Sequence, residues 1–181
     1  MSTRNRSYFS DCRCFFVTTS CYLHHHLLHF ESCRRIVGAS IVFVCRKYQA
    51  DVLGYVLMPN HVHFVIYFKN ENRLSVFMRD FKKFTSVQIR NEIARLAPRF
   101  LGELEYQYRD QLFKVWNDRF HDQCIKSRRH VRKALSYIHN NPLQEHWRLV
   151  EHPTEYPYSS ASYYSSFAQG IVPVRHYRCY F

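Results

Sequence analysis

The sequence predicts an α+β fold: a four-stranded antiparallel sheet with two helices on one face and a C-terminal helix on the other. Three observations predict it. Apolar, β-branched runs lie at 14–21 and on both sides of Pro59 and Asn60, as strands require. Leu74, Phe77, Phe81 and Phe84 recur at helical spacing, and a second amphipathic stretch runs from Ser127 to Pro142.

Taken in order, "CFFVTTSC" (14–21) is rich in β-formers and predicts a first strand, followed by a polar, histidine-rich turn. Residues 32–48 fit a helix despite the β-branched run at 41–44. "DVLGYVLM" and "HVHFVIYF" flank the turn-forming pair Pro59 and Asn60, so they predict a β-hairpin. The 74–96 helix carries Arg79, Lys82, Lys83 and Arg90 opposite its apolar face. "LFKVWNDRF" (112–120) reads as the fourth strand, and 128–141 as the last helix, with Ser127 as N-cap and Pro142 as its stop. The first six elements, β-α-β-β-α-β, match the ferredoxin-like (RRM-like) plan, which leaves the second sheet face for the last helix. The stretch 150–181 is aromatic and Ser-rich, and is expected to pack as an irregular tail on a single domain spanning 1–181.

Composition narrows the function classes. The chain holds 26 Lys and Arg against 14 Asp and Glu, a formal charge of +12, which favours a polyanionic partner, nucleic acid ahead of a membrane surface. No stretch reaches the roughly 18 apolar residues a bilayer span needs, and the N-terminal residues show no apolar leader core, so a cytoplasmic protein is expected. The seven cysteines then read as thiols. Cys12, Cys14, Cys21 and Cys33 with His24 to His26 match none of the usual zinc spacings.

The candidate chemistry begins in "GYVLMPNHVHFVIYF" (54–68). With 12 histidines in the chain, chance supplies about one His-x-His pair, and His24 with His26 already forms one. The setting separates His61 and His63. On a strand they share a face with Val65 and Tyr67, while Val62, Phe64, Ile66 and Phe68 point to the helices. Two imidazoles side by side can lean toward one divalent ion, but they leave its shell incomplete. A pair of hydrogen-bonded structural histidines is the alternative. On the 128–141 helix, Val131, Leu135 and Ile138 form the apolar stripe, with Tyr137 and Asn141 one turn apart beside it. Taken by itself, Tyr137 reads as an ordinary helix-surface residue.

In this order, "GYVLMPNHVHFVI", "ALSYIHNNP" and "YPYSSA" resemble the single-tyrosine HUH transposases (IS200-like), most closely the REP-associated tyrosine transposases of bacteria. The resemblance runs from "FFVTTS" through "VWNDRFHDQCIKS" to the tail. It implies that His61 and His63 bind a divalent metal, Mg²⁺ or Mn²⁺, and that Tyr137 is the catalytic nucleophile on single-stranded DNA. Asn141 would supply the third ligand, with His139 and Asn140 close enough to substitute. The product would be a covalent 5′-phosphotyrosine, formed at hairpin-forming, REP-like repeats by a nucleoid-associated monomer or homodimer. Arg79, Lys82, Lys83, Arg90, Arg128, Arg129, Arg132 and Lys133 would bind phosphates. Two stretches depart from the family's pattern: "LQEHWRLV" stands where a small, Gly-containing turn is usual, and the His24 to His26 cluster has no counterpart. The competing reading is a non-catalytic nucleic-acid-binding protein of the same fold. A zinc hydrolase built on the same pair lacks the glutamate such sites place beside their histidines.

Overall fold

The computed structural model describes residues 11–108 and 111–181. Residues 1–10, part of the stretch read as lacking a leader, lie outside the described residues. Strand β1 (Cys14–Ser20), helix α1 (Glu31–Lys47), strands β2 (Ala50–Leu57) and β3 (His61–Phe68), and helix α2 (Leu74–Leu96) follow the expected order. The hairpin turn at Pro59 and Asn60 closes with the Met58 N–H donating to the His61 carbonyl at 2.9 Å. The β-branched run in α1 stays helical because Ile41 and Val44 are wholly buried; packing overrides local propensity there.

The fourth strand is not where the sequence predicts it. Within 112–120, Leu112 and Phe113 belong to a small two-stranded ribbon of β4 (Glu105–Tyr108) and β5 (Gln111–Phe113). The strand that completes the main sheet is β6 (His121–Cys124), "HDQC". Its composition carries no strand signal because it is an edge strand, held by pairing rather than propensity. Among the described residues the main sheet has the order β2-β3-β1-β6, all antiparallel.

That register also corrects the cysteine reading. With Cys124 opposite Phe15, the end of β6 meets the residues preceding β1, and Cys12 forms a disulfide with Cys124 across 112 residues, Cα atoms 6.0 Å apart. Cys14, Cys21, Cys33 and Cys45 are buried thiols and Cys179 is an exposed one.

Each sheet face has its own apolar layer. Val62, Phe64, Ile66 and Phe68 face α1 and α2, among Ile41, Val44, Phe77 and Phe81. Cys14, Leu53 and Val65 face α3 (Arg128–Asn140) through Val131, Leu135 and Ile138. The tail closes the free edge of β2. The Leu57 N–H donates to the Tyr158 carbonyl at 2.8 Å, the Ser160 N–H to Tyr55 at 2.9 Å and the Arg175 N–H to Val52 at 2.9 Å. An otherwise open edge, prone to pairing with other chains, is thereby covered. The tail is mostly irregular and includes a short helix, α4 (Ala161–Ser166). Among the described residues no helix is long and apolar enough to cross a membrane.

Candidate active site

The open face of the sheet brings His61 and His63 together with their ring centroids 4.6 Å apart. Each ring is oriented from behind. The His61 Nδ1 lies 2.6 Å from the Asn60 amide oxygen, and the His63 Nδ1 lies 2.7 Å from the Thr18 hydroxyl. An amide oxygen only accepts, so His61 carries its proton on Nδ1, which leaves the lone pair on Nε2. Thr18 stands directly opposite His63 across the β1–β3 pair, and Phe16, two residues earlier on the same face, stacks on the His63 ring at 5.5 Å.

Helix α3 delivers the other two residues. Ser127 caps it by accepting from the His130 N–H, as expected. Its last turn carries Tyr137, and Asn141 is its C-cap, still helical in φ and ψ. The Tyr137 ring lies 5.3 Å from that of His63 and 5.8 Å from that of Phe16, yet the residue remains 47% exposed and is open to solvent rather than enclosed in the core. Asn141 is 2% exposed, with its amide nitrogen 3.4 Å from the His63 Nε2 and its amide oxygen buried without a partner.

Two neutral imidazoles and a buried amide whose oxygen has no partner form a nitrogen-and-oxygen donor set that fits a divalent ion. Among the described residues no group of three or more His, Cys, Asp or Glu side chains is placed to hold a metal. His139, the alternative third ligand, is turned away: its Nε2 bonds the Ser160 hydroxyl at 2.8 Å. Asn140 bonds back to the Ser136 carbonyl at 2.8 Å.

Burial pushes the His61 imidazole down to about 4, with the Asn141 amide opposing the shift. Burial, and then the charge His61 would carry, pushes His63 down to about 3. Both rings are therefore neutral at physiological pH, the form that ligates metals. An unfolded histidine protonates near pH 6.5, so below that pH the unfolded state binds more protons than the folded one. The stability they contribute is complete above about pH 6.5 and is lost as pH falls toward 4. Denaturant midpoints should decline between pH 6.5 and 5, above the range of carboxylate titration, and His63→Gln should flatten part of that decline. Equal slopes would contradict the burial of a neutral ring.

The approach of α3 to the sheet depends on Gly54. A bulge between Val52 and Gly54 turns Leu53 and Gly54 toward α3. A Cβ on Gly54 would overlap the Leu135 δ-methyl and lie 3.2 Å from both the Ile138 Cδ1 and the Ser160 Oγ. Gly54→Ala should cost about 1–3 kcal/mol of stability and lift Tyr137 and Asn141 off the histidines. Thermal unfolding should show the loss, and adding Leu135→Val should restore part of it.

The basic residues divide between the two faces. Arg128, Arg129, Arg132 and Lys133 line one shallow cleft on α3, with Arg129 and Lys133 two turns and one turn before Tyr137. Arg128 is also bound to the Phe181 carbonyl. On α2, Arg79, Lys83 and Arg90 lie on the sheet face opposite the histidines; Arg79 pairs with Asp80 at 3.1 Å and Arg90 covers the Phe113 ring. Lys82 departs from its expected role as an outward phosphate contact. Its ammonium donates to the carbonyls of Asn117, Asp118 and Arg119 at 2.7, 3.2 and 3.3 Å, and burial lowers its pKa to about 8. It clamps the loop before β6.

Sequence reasoning missed Thr18, Asn60 and Phe16. Asn60 had a signal in its adjacency to His61. Thr18 and Phe16 needed the β1–β3 register.

The family profile "Transposase IS200 like" matches residues 8–141. The fold is similar to that of a solved REP-associated tyrosine transposase bound to a REP hairpin, at TM-score 0.67 and 18% identity over 97% of this chain and 92% of that one. A crystal structure of a putative transposase from Deinococcus radiodurans R1 is similar at TM-score 0.48 and 14% identity, over 77% of this chain and 96% of that one. No curated protein matches significantly.

Proposed function

The chain belongs to the IS200-like transposase family, and from that premise we propose that it nicks and rejoins single-stranded DNA with Tyr137 as nucleophile, using a divalent metal held by His61, His63 and Asn141. The observation that carries this reading is the Tyr137 ring against His63, one helical turn from the orphaned Asn141 oxygen.

When bound, Mg²⁺ or Mn²⁺ supplies positive charge against a non-bridging phosphate oxygen. The chain's own residues do the rest. Neutral His61 and His63 leave that charge undiminished, and Asn60 and Thr18 fix the ring orientations. The Tyr137 hydroxyl loses its proton and attacks phosphorus, the P–O3′ bond breaks, and the departing oxygen takes a proton to become a 3′-hydroxyl. Tyr137 then carries the 5′-phosphate as an ester. Because the ester keeps the energy of the broken bond, another 3′-hydroxyl can reverse the step and join strands without ATP. Arg129, Arg132 and Lys133, leading along α3 to Tyr137, would hold the strand's phosphates. The proposed substrate is a hairpin-forming repeat, a reading supported by the hairpin held by the structural neighbour.

The test mixes the full chain with labelled single-stranded DNA carrying an imperfect hairpin, plus Mg²⁺ or Mn²⁺. A denaturant-stable protein–DNA adduct is expected, dependent on the metal and absent on the fully paired duplex. If binding occurs with no adduct on any repeat tried, the non-catalytic reading takes its place.

A further inference from the structure

The stretches around His24 to His26 and "LQEHWRLV" lie far apart in sequence and meet beside His61. Trp147 sits among three imidazoles, with its ring 5.5 Å from His26, 5.5 Å from His146 and 6.0 Å from His61, all at tilted angles. It is only half-buried, and Leu23 and Leu149 are exposed on the same two segments at 65% and 40%. A partly open aromatic ring beside a phosphate-binding centre offers a surface on which a base can stack.

Both segments are anchored to the site itself. The Cys21 N–H donates to the Asn60 carbonyl and the Leu28 N–H to the Pro59 carbonyl, each at 2.8 Å, so the histidine turn hangs from the residues preceding His61. On the other side, the Gln144 N–H donates to Asn141 at 3.2 Å, the Trp147 N–H to Gln144 at 2.8 Å and the Leu149 N–H to Pro142 at 2.9 Å. Leu23, His24 and Arg148 have φ of 49°, 58° and 43°, conformations that side-chain-bearing residues hold only when their surroundings impose them. A rigid, half-open ring cluster is thus fixed next to the proposed metal ligands, in a chain with a formal charge of +12.

We infer that Trp147, with His26 and His146, forms a stacking site for one unpaired base of the strand whose phosphate lies at His61 and His63. The inference rests on the reading of that centre as one that takes single-stranded nucleic acid. An aromatic platform beside a phosphate site holds a strand without reading its sequence, since every base has a π-face. Trp147 is on this account a positioning residue: it sets which phosphate reaches Tyr137.

The chain has two tryptophans, and Trp116 is shielded, 4% exposed with its indole N–H donating to the Thr85 hydroxyl at 2.8 Å. With excitation selective for tryptophan, a change in emission caused by ligand contact therefore reports mainly on Trp147, since Trp116 is shielded from the ligand. Titrating the full chain with short single-stranded oligothymidylate in EDTA should quench that emission to saturation. Trp147→Leu should remove the quenching and weaken binding about tenfold, while Trp147→Phe, which keeps a ring, should recover most of the affinity. An abasic strand of the same length should bind the wild type and Trp147→Leu equally weakly. The inference is overturned if Trp147→Leu, folded by thermal unfolding, binds oligothymidylate as tightly as the wild type, or if the abasic strand loses nothing on the wild type. Quenching without any adduct in the metal assay would retain this site and reject the nickase. An adduct with undiminished binding by Trp147→Leu would do the reverse.

Discussion

Tyr137→Phe should abolish the covalent protein–DNA adduct, by at least about 10³-fold, while leaving binding of the uncut strand within about twofold of the wild type. The split follows from the geometry. The Tyr137 ring makes its contacts with His63 and Phe16 through its edges and faces, which phenylalanine preserves, and the hydroxyl of this half-exposed residue is the only group lost. Gel shift in EDTA measures the binding, and denaturing electrophoresis with Mn²⁺ measures the adduct. An adduct that persists in Tyr137→Phe would move the nucleophile elsewhere. A loss of binding to match would make Tyr137 a contact residue instead.

His63→Ala should be nearly as damaging, lowering adduct formation by about 10³-fold even at saturating DNA, because it removes a proposed metal donor and the partner ring of both Phe16 and Tyr137. It also leaves the Thr18 hydroxyl without its imidazole. Asn141 separates the two contributions. Asn141→Asp keeps an oxygen at the buried position and adds charge, so it should retain activity and lower the Mn²⁺ concentration required, as titration calorimetry would show. Asn141→Leu fills the space without a donor and should raise that requirement at least tenfold. If both variants behave alike, the orphaned oxygen is not a ligand.

The placement of these residues was readable from local periodicity, while the roles expected of them came from the family resemblance. The alternation in β3 put His61 and His63 on the face opposite Val62 and Phe64, and the 3.6-residue repeat of α3 put Tyr137 one turn before Asn141. What stayed hidden depends on pairing between distant segments. "HDQC" becomes a strand only against β1, the disulfide between Cys12 and Cys124 follows from that register, and Thr18 reaches His63 only through the β1–β3 ladder. Lys82 misled for the same reason. Its place on α2 looked solvent-facing until the loop at 117–119 folded over it. The motif "YPYSSA" acquired a physical role: it runs along the β2 edge and, through Ser160, holds His139 and so the end of α3.

The account stands on Tyr137 and the histidine pair acting as one centre within a single chain. Trapping the adduct on hairpin DNA with Mn²⁺, digesting it with nuclease and protease, and sequencing the modified peptide by mass spectrometry tests this most directly. The account predicts a nucleotide phosphate on the peptide carrying Tyr137 and on none of the other 13 tyrosines. It also predicts that an inactive mixture of Tyr137→Phe with His63→Ala chains stays inactive. A phosphate on another residue, or activity restored by mixing, would contradict it.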